Sequence, residues 1–173
     1  LNTQFDKLEL KGNKLEIEEE TAGNGITKVY ICSPSTSFHY NIGETVLIYR
    51  IYNGNGKKTY HSVVTSYCTV TDVKIIKSNN IANYKLTDFI KVAGNKTVFT
   101  QSQLTNLYQL KKNLVLLEII YNGFFGKGHN VTHKQLKDNE LFNTYPYNIE
   151  YSEDEFKQIL RMGDVDVQNV IID

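Results

Sequence analysis

Arg50 stands inside an otherwise apolar run, residues 46–52 (VLIYRIY), with Tyr49 beside it and Tyr52 two positions on. A charge in a core is costly unless it is paired or binds something. A guanidinium is a planar fork that suits a phosphate or a base edge, and tyrosine rings beside a cation suit the stacking of an unpaired base. The structural alternative is that Arg50 pairs with an internal carboxylate or snorkels at the mouth of a barrel. The basic residues are nearly all lysine, with Arg50 and Arg161 the only arginines. Lysine is a flexible point charge, so each arginine carries more specificity. There are 12 tyrosines and no tryptophan, and Tyr30, Tyr49, Tyr52, Tyr60 and Tyr67 fall on or beside strand-like segments.

Other groups offer less. His129 and His133 have i,i+4 spacing, but Thr132 reads as a helix N-cap, which leaves His129 outside the helix and the pair without a third ligand. No metal or other cofactor is therefore expected. Gly123-Phe124-Phe125-Gly126-Lys127-Gly128 follows a strand but lacks the Gly-Lys-Ser/Thr ending of a phosphate-binding loop. It reads as a flexible loop whose aromatics and lysine could cover a ligand. Glu18-Glu19-Glu20 reads as a solvated strand end. Cys32 and Cys68 sit in apolar runs and read as reduced core thiols.

These groups must be positioned by a chain of 173 residues, enough for one domain with a real core. The hydrophobic and charged fractions, 40% and 22%, are those of a globular protein, and no apolar run is long enough to span a membrane. The formal net charge is zero, so any basic surface must be a local patch. No secretory signal is visible, and a cytoplasmic location is expected. The chain opens on Leu1, which suggests a domain excised from a longer protein.

Strands are predicted at residues 14–20, 28–32, 45–52, 61–74, 113–121 and 165–172 from their β-branched and aromatic content. Residues 43–73 read as two strands joined by a turn at 53–58, with Gly54 and Gly56 supplying positive φ. Residues 45–52 are apolar on both faces, as in a central or barrel strand, and the small side chains Ser66 and Cys68 suit a tight barrel interior. Helices are predicted at 86–93, ended by Gly94, and after three capping boxes: Thr100 with Gln103, Thr132 with Gln135, and Ser152 with Glu155.

Two segments carry a family resemblance. Gly23-Asn24-Gly25-Ile26-Thr27-Lys28-Val29-Tyr30-Ile31-Cys32-Ser33, followed by Ile42-Gly43-Glu44-Thr45-Val46-Leu47-Ile48-Tyr49-Arg50, resembles a PUA-like domain. The subgroup is related to the ASCH and EVE domains and is often attached to acetyltransferase-like or PIN-like modules in bacterial proteins. Residues 63–73 and 96–100 extend the likeness, which spans roughly 23–160. Glu44 stands where the pattern usually has Asp, and the ASCH signature Gly-x-Lys-x-x-Glu-x-Arg is not present.

The resemblance implies an α+β fold: a small mixed β-barrel with peripheral helices, formed by residues 1–173 as a single domain. It implies RNA binding, or recognition of a modified nucleotide flipped into a polar pocket. The matching positions are Asn24, Lys28, Ser33, Tyr49, Arg50 and Thr65, to which the local reading adds Tyr52. Arg50 and Lys28 would contact phosphate or a base edge, Tyr49 and Tyr52 would stack, and Asn24, Ser33 and Thr65 would hydrogen-bond. The expected partners are nucleic acid and a fused acetyltransferase-like or PIN-like domain. Two other functions are compatible with the residues. One is a nuclease or base-modifying hydrolase using His61 with Lys58 or a glutamate. The other is a regulatory domain for a fused catalytic module.

Overall fold

Alternating and fully apolar β-formers build the sheet, and capping boxes start three of the helices as their sequences require. A computed structural model describes residues 27–34, 40–144, 146 and 149–169. Asn24 and the strand expected at 14–20 lie outside the described residues. The strands are β1 (Thr27–Cys32), β2 (Thr45–Arg50), β3 (Val63–Ser78), β4 (Ile81–Ala82), β5 (Leu114–Phe124) and β6 (Val131–Thr132). Their order is β1-β5-β3-β2, with β4 and β6 also paired to β3. β1 runs antiparallel to β5, placing Val29 opposite Glu118 and Ile31 opposite Leu116. The class is α+β. Among the described residues β1 and β2 end the sheet and no pairing joins them, so the sheet is open where a closed barrel was expected.

The helices are α1 (Lys58–His61), α2 (Leu86–Ala93), α3 (Gln101–Gln109), α4 (His133–Asp138) and α5 (Glu153–Met162). Thr100, Thr132 and Ser152 each accept the N3 amide while the Gln or Glu side chain returns to the cap amide, so all three predicted boxes form. α2 ends at Gly94, whose φ of 54° favours a residue without Cβ.

Three local expectations are corrected. Residues 58–61 were read as the end of a turn and the start of a strand, yet they form α1, and β3 begins at Val63. A four-residue helix is too short to hold itself, so its existence depends on tertiary contacts that local propensity does not reveal. Gly54 and Gly56 are not among the glycines with positive φ; they are needed instead because side chains press on them. Residues 165–169, expected in a strand, run into a turn of 3₁₀ helix at Val167–Asn169.

The chain divides into two compact units, the division falling inside β3 and β5. The first takes the described residues up to Glu44 together with Thr69–Tyr121; the second takes Thr45–Cys68 and the described residues from Asn122 onward. In the first, Phe89 and Ala93 of α2 and Leu104 of α3 cover Val29, Ile31, Ile76, Leu114 and Leu116. Lys77, only 7% exposed, is also buried there. Its ammonium donates to the carbonyls of Tyr108 (2.6 Å) and Leu110 and lies 5.4 Å from the Tyr108 ring centre. These carbonyls close the C-terminus of α3, where the helix dipole favours a cation.

The second unit packs Val64, Tyr67, Phe125, Val131, Leu136, Leu141, Phe156, Ile159 and Leu160 together. Its α5 carries Phe156, Ile159 and Leu160 on one buried face at helical spacing. Burial of one such side chain contributes about 2 kcal/mol, several times an exposed ion pair, so this core rather than the surface charges holds the unit.

Candidate nucleic-acid interface

One corner of the second unit gathers several lysines, three of which make no ion pair among the described residues. It starts from strand pairing. β3 and β6 are antiparallel, with Val63 opposite Thr132, so α1 ends just before β3 at the same level where α4 begins just after β6. The two short helices pack against each other. Ser62, 1% exposed, fastens the corner. Its amide donates to the Lys58 carbonyl (2.8 Å), its carbonyl accepts the His133 amide (2.8 Å), and its hydroxyl accepts the Tyr52 amide (3.0 Å). Burial raises the pKa of the Tyr49 phenol, which is close enough to Ser62 for that side chain to oppose the rise in part.

Two aromatic groups support the helices. The Tyr52 ring lies on His61 at 4.6 Å between centroids, tilted by 36°. A Cβ at Gly54 would overlap the Tyr52 phenol, and one at Gly56 would come within 2.8 Å of the His61 ring. The glycines of the turn therefore let backbone close over this pair. On the other side, His133 sits 4.3 Å from Phe142 and meets the Tyr49 ring edge-on at 6.1 Å. Tyr49 and Phe142 are 5.3 Å apart. The His133 Nε2 is buried and has no hydrogen-bond partner among the described residues. Burial, and then the nearby Lys137 charge, hold the His133 imidazole below its ordinary pKa.

Outside this frame the surface is basic. Lys57, Lys58, Lys134 and Lys137 are exposed. Lys134 is paired with Asp138, a bond that raises its pKa, whereas Lys57, Lys58 and Lys137 make no ion pair among the described residues. Tyr60 is 54% exposed, and its phenol is near enough to Lys134 to act on its titration. Leu136, 1% exposed, anchors α4 beneath its lysines.

The sequence-predicted residues are distributed unevenly. Tyr49, Arg50, Tyr52 and Thr65 belong to the second unit, and Lys28 and Ser33 to the first. Tyr49 is half-buried with its ring packed, and burial is the main reason its pKa rises. Arg50 is half-buried at the last residue of β2. Tyr52 has one ring face committed to His61. Thr65 is 4% exposed and its hydroxyl donates to the Ile48 carbonyl at 3.4 Å, so it faces inward. Lys28 is half-buried in β1 and Ser33 is exposed just beyond it.

In the glycine-rich loop, Phe125 is 5% exposed and belongs to the core, whereas Phe124 is 52% exposed. His129 lies 3.6 Å from Asp164. Among the described residues no cluster of His, Cys, Asp and Glu is arranged to hold a metal. No helix among them is long and apolar enough to cross a membrane.

Lys57, Lys58, Tyr60, Lys134 and Lys137 were not singled out from the sequence, yet a signal for them exists. Residues 45–71 contain Arg50, Lys57 and Lys58 and no acid. Residues 119–137 contain Lys127, Lys134 and Lys137 and no acid. A neutral total conceals two acid-free stretches, and the β3–β6 pairing brings parts of them together. No family model, curated protein or solved structure matches the chain, so its function rests on its own residues.

Proposed function

We propose that the second unit is a nucleic-acid-binding module that takes RNA through the α1–α4 corner. The observation that carries this reading is that Lys57 and Lys58, next to exposed Tyr60 at α1, and Lys134 and Lys137 on α4 meet where these two helices pack, in a chain of zero net charge. Phosphate contacts supply most of the affinity in such interfaces, and Lys57, Lys58 and Lys137, which make no ion pair among the described residues, can form them without first breaking one. PUA-like kinship belongs to the same proposal. It rests on the segments 23–33 and 42–50, the second of which contains β2, and it carries with it service to a fused acetyltransferase-like or PIN-like module.

The binding reading is favoured over a hydrolase at His61. That imidazole is packed against the Tyr52 ring, and no carboxylate bonds to it among the described residues. The test is fluorescence anisotropy with a labelled RNA dodecamer at low salt. K57E/K58E should weaken binding by about tenfold or more, since two phosphate contacts become repulsive. K111E/K112E, with the same change in net charge on exposed lysines of the first unit, should bind as the wild type does. Equal losses in both variants, or no loss in the first, would remove the corner as the site.

A further inference from the structure

Resting on that reading, we infer that the corner takes its nucleic acid as a single strand, with one unpaired base stacked on Tyr60. The α1 helix buries none of its residues, and Tyr60 is 54% exposed, so the core does not account for this ring. The backbone that carries the ring is nevertheless firmly held. Its own amide donates to the Lys57 carbonyl at 3.0 Å, the next residue, His61, packs against the Tyr52 ring, and the one after, Ser62, is buried and bonded to both sides of the corner.

A tyrosine on a fixed backbone has few side-chain rotations to lose when it stacks, and lysines are close to it along the chain and on the neighbouring helix: Lys57 and Lys58 at the start of α1, Lys134 and Lys137 on the α4 helix packed against it. Paired bases in a duplex are already stacked on their neighbours and present only edges and phosphates, which would leave the Tyr60 face unused. A single strand satisfies both features at once, its phosphates on the lysines and a base on the ring.

The test compares a uridine-rich RNA dodecamer carrying 2-aminopurine at its centre with the same sequence in a duplex. The wild type should bind the single strand more tightly and quench its 2-aminopurine. Tyr60→Ala should weaken the single strand by about tenfold and abolish the quenching, with duplex binding unchanged, and Tyr60→Phe should retain both. If Tyr60→Ala binds the single strand as tightly as wild type, or loses equally on both forms, the stacking inference falls. Because K57E/K58E would still lose affinity against K111E/K112E in that case, the nucleic-acid reading would survive it. If the wild type binds neither form but binds a polyglutamate peptide, the corner is an acidic-protein surface and both proposals fall.

Discussion

Charge reversal at Lys57 and Lys58 should change the salt dependence of binding as well as its strength. On a single strand each phosphate neutralised adds about 0.7 to the slope of log affinity against log salt. Lys57, Lys58 and Lys137 are exposed and make no ion pair among the described residues, while Lys134 is held by Asp138. Three available ammonium groups give a slope of about −2, so wild-type affinity should fall about 20-fold between roughly 50 and 200 mM salt. K57E/K58E leaves Lys137 and a slope of about −0.7, a fall of about threefold over the same range. The assay is a set of anisotropy titrations of each protein across that range. A wild-type slope near zero would refute phosphate neutralisation by this corner. A double variant that binds weakly with an undiminished slope would show that the lysines act through the fold instead.

Stability offers independent checks. Gly163 caps α5 at an ordinary negative φ, but a Cβ there would lie 2.7 Å from the Phe125 ring, which is 5% exposed; Gly163→Ala should cost about 1–3 kcal/mol in urea unfolding, and a stabilised variant would contradict that packing. Lys77→Met keeps the apolar stem but strips the cation from the Tyr108 and Leu110 carbonyls; a loss of about 1–3 kcal/mol is expected, and an unchanged denaturation midpoint would deny the buried cap. His133 has a folded pKa below its ordinary 6.5, so between those values the unfolded chain binds more protons than the folded one. Its effect is absent above pH 6.5 and lowers stability as the pH falls through that window. His133→Phe, which suits the ring cluster with Phe142, should flatten the change in denaturation midpoint between pH 7.5 and 5.5, and an equally steep change would show that His133 does not cause it.

Local signals located much of the architecture. The capping boxes at Thr100, Thr132 and Ser152 and the breaker Gly94 are short-range devices, and each marks a helix end where its chemistry requires one. The interior strands were legible because runs such as residues 114–117 are apolar on both faces. Features made by long-range contact were not. α1 exists through Ser62, Tyr52 and His61, and the two-residue strand β6 exists only through its pairing with β3.

The same distinction governs the site. Arg50 drew attention as a charge in an apolar run, but it is half-buried at the end of its strand, and the deeply buried cation is Lys77, at the close of a strand whose solvated-looking end gave no warning. The basic corner is assembled from residues more than 70 positions apart, Lys57 to Lys134, and a total charge of zero hid it. Counting where acids are missing would have exposed both halves, although only the β3–β6 register joins them.

The most direct measurement is a titration of the ¹⁵N-labelled protein with an RNA dodecamer, followed by amide chemical shifts. The account predicts shifts concentrated at residues 53–62 and 133–137, the turn, α1 and the first turns of α4. Shifts centred on α2 and α3 of the first unit, or no shifts at millimolar RNA, would contradict it.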